Sequence, residues 1–110
     1  MLASERYLYI AQRATAVILA PLVVVHLLLI LIAVKNGLTA EEILSRTRGN
    51  ELWAAFYSLF VVAAAVHAPL GLRNVLHEWT QLSRRGVELF CIAIFLLLLF
   101  AGLRAVVAVY

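Results

Sequence analysis

Cysteine is almost missing from this 110-residue chain: its one thiol, Cys91, excludes an internal disulfide and any iron–sulfur or zinc site built from several cysteines. That residue reads as a small apolar filler. Charge is scarce too. Asp, Glu, Lys and Arg make up 14% of the residues, and the net charge of +3 is scattered at the ends of apolar runs. Such scatter leaves no basic face for nucleic acid, and the cations read as interface anchors. Polar sequence is equally short, since the connections 35–51 and 73–86 are each too small to enclose a soluble core. Repeats and low-complexity tracts are absent. Residues 1–12 lack the basic n-region, short apolar stretch and small-residue cleavage site of a signal peptide, so the first apolar run is expected to be retained.

What fills the chain instead is hydrocarbon. Hydrophobic residues make up 65% of it, in three runs at about 14–34, 52–72 and 87–109. Each matches the roughly 20 residues that a helix needs to cross a bilayer. The expectation is an all-α integral membrane protein, one transmembrane domain over 1–110. Its helices fall at about 8–35, 52–77 and 86–109, with a short interfacial helix at about 39–46. Tyr7 and Tyr9 fall at headgroup level before the first span, and Trp53, Phe56 and Tyr57 do so at the start of the second. Lys35-Asn36-Gly37 ends the first helix, and Thr39 with Glu42 forms a capping pattern for the interfacial one. Three spans put the termini on opposite sides. Five basic residues on the N-terminal side (Arg6, Arg13, Arg73, Arg84, Arg85) face four on the other (Lys35, Arg46, Arg48, Arg104), a lean toward a cytoplasmic or matrix N-terminus.

Against this background two histidines stand out, His26 in the first run and His67 in the second, with no carboxylate at their depth in either run. An imidazole in hydrocarbon is costly unless something ligates or hydrogen-bonds it, so metal or cofactor ligation leads. His67 opens the pattern His67-x3-Gly71-x-Arg73-x4-Glu78. Ala63, His67 and Gly71 share one helix face, a stripe that leaves space for a flat porphyrin and equally for a close helix–helix contact. Pro69 is expected to kink the helix.

Arg73 lies about 9 Å nearer the interface than His67. It suits a heme propionate or a quinone carbonyl, or simply snorkels to the interface. Arg13 has the same two readings, but its neighbours Gln12 and Thr15 make a polar cluster that a plain anchor does not require. Arg104 reads as an anchor. His77 reads as a solvated turn residue, or as part of a contact surface able to exchange protons near neutral pH. Counted from Arg13 and Arg73, the two histidines differ in depth by roughly 10 Å. They are thus poorly placed to clamp one iron together, and each needs a partner histidine from elsewhere.

These residues resemble the cytochrome b membrane-anchor subunits of succinate dehydrogenase and fumarate reductase, complex II. In that family a heme-ligating His is followed by Gly at plus four, Arg at plus six and an acidic residue at plus eleven, the places held here by His67, Gly71, Arg73 and Glu78. The first helix of the family often opens with His-Arg-x-Ser-Gly, and this chain reads Gln12-Arg13-Ala14-Thr15-Ala16. Arg13 and Thr15 match, Gln12 and Ala16 depart, and Tyr9 stands where members often carry a serine near the quinone. His26 looks like the additional ligand of di-heme members.

The resemblance implies cofactor contacts at His67, His26, Gly71, Arg13 and Arg73, with His67 on heme iron and His26 on a second one. It also implies quinone contacts at Tyr9, Arg13, Thr15, Arg73, Glu78 and Trp79. The cofactors are then one or two b hemes shared with a partner subunit, with quinone as substrate. The partners are a flavoprotein subunit, an iron–sulfur subunit, a second membrane anchor and membrane lipid, without nucleic acid. The setting is the bacterial inner membrane rather than the mitochondrial one. Dicarboxylate chemistry belongs to the soluble subunits, so this chain acts in an enzyme without binding the dicarboxylate. Alternatives are a quinol:fumarate reductase anchor, a cytochrome b anchor of another quinone-linked oxidoreductase, and a non-heme structural or transport subunit. Transporters of this size generally need an intramembrane carboxylate, and Glu88 lies only at a segment end.

Overall fold

A computed structural model describes residues 2–110, with side chains from Ser4 onward, and every element in it is helical: α1 (Leu2–Lys35), α2 (Ala40–Thr47), α3 (Glu51–Trp79) and α4 (Arg84–Val109). The three long helices are each long and apolar enough to cross a membrane. The molecule measures 48 Å along its long axis, comparable to a bilayer with its headgroups, about 40–45 Å.

Side-chain caps set the boundaries. Thr39 accepts from the Glu42 amide at the start of α2, Asn50 from the Leu52 and Trp53 amides at α3, and Ser83 from the Gly86 amide at α4. Each satisfies amides that the helix itself leaves unpaired. Lys35 closes α1 with its charge at the negative end of the helix dipole, and Gly37, with φ of 102°, turns the chain away. The first helix begins six residues before position 8. Glu5 lies in its first turn, where an acid suits the helix dipole, and is anchored across the bundle by Arg73. The third helix continues through Pro69 to Trp79.

The central helix is α3, with α1 and α4 packed on it. Leu8, Gln12, Thr15, Leu19, Leu22, His26, Leu29 and Ala33 are partly or fully buried positions that step along α1 at intervals of three and four, the spacing of one helix face. Among the described residues of α1 only Thr15 and Ala33 are fully buried, so most of that helix faces outward. On the other flank, α4 approaches closely at Gly102, where a Cβ would lie 2.5 Å from Val61 Cγ1. The end of α2 is tied to the end of α4: Thr47 donates to the Val109 carbonyl (2.9 Å), and the Gly49 amide donates to the Tyr110 carbonyl (2.8 Å).

Candidate functional site

Helices α1 and α3 run antiparallel, and their side chains meet in a consistent order: Thr15 against His67, Gln12 against Gly71, His26 against Tyr57. His67 is half-buried. Its Nδ1 lies 3.1 Å from the hydroxyl of Thr15, which is only 9% exposed. Its Nε2 makes no hydrogen bond among the described residues and remains accessible. Gly71, one turn along, leaves the space that the Gln12 side chain enters, since a Cβ there would stand 3.3 Å from Gln12 Nε2. Gln12 Oε1 is itself buried without a partner. At Gly71 the missing side chain therefore admits the Gln12 amide of α1, which is flexible and can swing aside.

Above His67, toward the N-terminal side, α1 and α3 enclose a cavity of about 440 Å³ whose wall includes Glu5, Tyr9, Gln12, Arg13, Arg73 and Asn74. Leu70 also lines it. Leu70 and Asn74 lie three and seven residues on from His67, on its helix face. Arg13 makes no ion pair among the described residues. Its guanidinium sits 5.8 Å from the centre of the Tyr9 ring, a distance at which a cation is drawn to the ring face. This arginine is positioned to receive an anion or a carbonyl.

Arg73 is already engaged. It is 8% exposed, donates Nη2–H to Glu5 Oε1 and Nε–H to Glu88 Oε1, both at 2.6 Å, and has a third, longer bond to Glu5. Its charge is matched within the chain, so binding another anion there requires exchange with Glu5. His77 Nε2 lies 3.6 Å from Glu88 and is buried without a hydrogen-bond partner. Glu78 and Trp79 are exposed at the end of α3, Trp79 at 81%, outside the wall of the cavity. Arg104 is exposed on α4.

His26 occupies a second, more apolar place. Its ring meets Tyr57 and Phe60 edge-on, with centroids 6.1 and 5.2 Å away, and its Nδ1 is buried without a partner. An adjoining cavity of about 360 Å³ is lined mainly by α3 and α4, including Val61, Gly102 and Val106. With His67 level with Thr15, His26 stands eleven residues further along α1, about 16 Å. The separation exceeds the roughly 10 Å expected, because Arg13 and Arg73 are not level: the register puts Arg13 about one turn deeper.

No three His, Cys or Glu side chains converge on a metal position among the described residues. A macrocycle that brings its own equatorial nitrogens needs only one protein nitrogen on a face. His67, with one ring nitrogen anchored and the other open, could meet that need, and His26 carries a second ring nitrogen without a partner among the described residues.

Fold and site together define a three-span, all-helical membrane subunit with a polar cavity near one end of the bundle and a histidine beneath it. Residues 3–105 match the family of the succinate dehydrogenase/fumarate reductase transmembrane subunit, and the chain belongs to it. Comparison with curated proteins and with solved structures finds no match.

Glu5, Glu88, Gln12 and Asn74 are the site residues that sequence reasoning did not assign. Gln12 had a usable signal, three residues from Thr15 on one face. The pairing of Glu5 with Arg73, 68 positions apart, had none.

Proposed function

We propose that this chain is the cytochrome b membrane anchor of a succinate:quinone oxidoreductase. It holds heme b through His67 and gives quinone a site near Arg13, where electrons arrive from an iron–sulfur subunit. The observation that carries this reading is the pairing of His67 Nδ1 with the buried Thr15 hydroxyl, which leaves Nε2 open below a cavity with two arginines in its wall. Histidines that ligate metals use one nitrogen for the metal and anchor the other.

Heme b, when bound, supplies reversible one-electron exchange at iron. The protein's residues do the rest. Arg13, without an acidic partner among the described residues, binds a propionate or a quinone oxygen and stabilises negative charge there. Tyr9 holds the guanidinium in place through its ring. Glu5, half exposed at the cavity wall, pairs with Arg73 and offsets its charge there. Glu78 and Trp79, exposed at the adjacent end of α3, form the surface that meets the iron–sulfur subunit and a quinone arriving from the lipid. The outward face of α1 would receive a second membrane anchor, which would contribute the further histidine that the heme needs. A flavoprotein completes the complex on the cytoplasmic side of a bacterial inner membrane. His26, about 16 Å from the level of His67, serves a second heme with its own partner ligand.

The test is heme-to-protein stoichiometry by pyridine hemochrome on the purified complex. A b-type spectrum is expected, with His67→Leu losing one heme per complex and His26→Leu losing the second. Wild-type heme content in His67→Leu rules out ligation by that residue.

A further inference from the structure

We infer that Thr15 is a positioning residue for His67, fixing its tautomer and ring orientation so that Nε2 carries the free lone pair. This rests on the reading of His67 as an axial ligand. The argument counts one proton. A threonine hydroxyl has a single hydrogen to donate and lone pairs with which to accept. Thr15 Oγ1 lies 2.7 Å from the Ala11 carbonyl, with the Gln12 carbonyl at 3.1 Å and His67 Nδ1 also at 3.1 Å. The shortest contact is to a group that can only accept, so the hydroxyl proton points to Ala11, one turn back on α1. Toward His67 the oxygen then presents a lone pair, and the bond is Nδ1–H donating to Oγ1. A neutral imidazole with its proton on Nδ1 has an unprotonated Nε2, the form that binds iron.

Burial makes the arrangement hold. Thr15 is 9% exposed, so its hydroxyl meets little competition from water, and the bond to the Ala11 carbonyl selects one of the two rotamers a helical threonine adopts. Among the described residues the other intramembrane histidine has no such device, since His26 Nδ1 is buried without a partner there. Thr15 thus acts through His67 and does not face the cavity wall where Tyr9 and Arg13 stand. By accepting the hydrogen bond from Nδ1–H it makes the imidazole a stronger donor, which favours oxidised over reduced iron and lowers the potential.

The experiment compares Thr15→Val, similar in shape but without the hydroxyl, with Thr15→Ser, which keeps it, in the assembled complex. The readouts are heme retention, midpoint potential by redox titration and low-temperature EPR. Thr15→Val is expected to raise the potential, displace the EPR g values and weaken heme retention about tenfold or more, whereas Thr15→Ser stays at wild type. Should Thr15→Val fail to assemble, Thr15→Cys, whose sulfur is a weak acceptor, takes its place with the same expected direction. A hydroxyl-free variant with wild-type potential, spectrum and retention overturns the inference, and so does a Ser variant that behaves like Val. His67→Leu separates the two readings: heme retained there refutes the ligand itself, while heme lost there with an unaltered Thr15→Val refutes only the role of Thr15.

Discussion

A single arginine shows how charge is handled near the membrane surface in this chain. Arg73 spreads three hydrogen bonds over two carboxylates on two other helices, so it joins α1, α3 and α4 at one point. A guanidinium does this because its donors form a fixed planar fork, which an ammonium lacks. Arg73→Lys is therefore expected to lower stability by about 1–2 kcal/mol. That figure is the usual value for hydrogen bonds to charged groups, reduced because both carboxylates are partly exposed. Thermal unfolding of the detergent-solubilised complex checks it, and a midpoint equal to wild type contradicts the idea that the fork matters. The same geometry explains what the sequence could not tell about this residue. An arginine six positions past an intramembrane histidine reads as a ligand for a propionate or as a snorkelling anchor, and only the fold brings Glu5 and Glu88 to it. His67 stands out as a candidate in the sequence because an imidazole in hydrocarbon is anomalous by itself. Its partner does not, because which α1 residue lies level with it depends on how two featureless apolar surfaces slide together.

Helices α1, α3 and α4 were legible as elements because length and hydropathy alone decide a membrane span, and because Asn36-Gly37 and the Thr39–Glu42 pair mark ends by backbone chemistry. Packing between them was not, since lipid and helix surface are equally apolar and small residues alone allow close approach. Gly102 is the sharpest case. A Cβ there would stand 2.5 and 2.9 Å from the two methyl groups of Val61, whose branched side chain is stiff and cannot swing away. Gly102→Ala is expected to push α4 off α3 at a cost of about 1–3 kcal/mol. The compensating pair Gly102→Ala with Val61→Ala removes both methyl groups and should recover much of it. A double-mutant cycle read by thermal unfolding decides the matter: strictly additive effects of the two substitutions would mean that they do not touch.

At the scale of the whole molecule, the fold sorts polar groups by side. The polar cavity, Arg13, the Arg73 cluster and the 80–83 connection lie at one end of the bundle, while α2 and the end of α4 lie at the other, held together by Thr47 and Gly49. Basic residues at the two ends are too evenly divided for charge alone to orient the chain. The proposed function adds a second constraint. If electrons come from a soluble iron–sulfur subunit to the cavity end, that end faces the compartment where the subunit folds, and α2 faces the opposite one. Cysteine labelling tests this directly. In a Cys91→Ala background, Gln81→Cys and Ser45→Cys place single thiols at exposed positions of the connection and of α2. An impermeant maleimide is expected to label Gln81→Cys in inside-out vesicles and Ser45→Cys in right-side-out ones. The reverse pattern puts the cavity at the far side of the membrane, where no cytoplasmic electron donor reaches it, and removes the proposed electron path while leaving the helical fold intact.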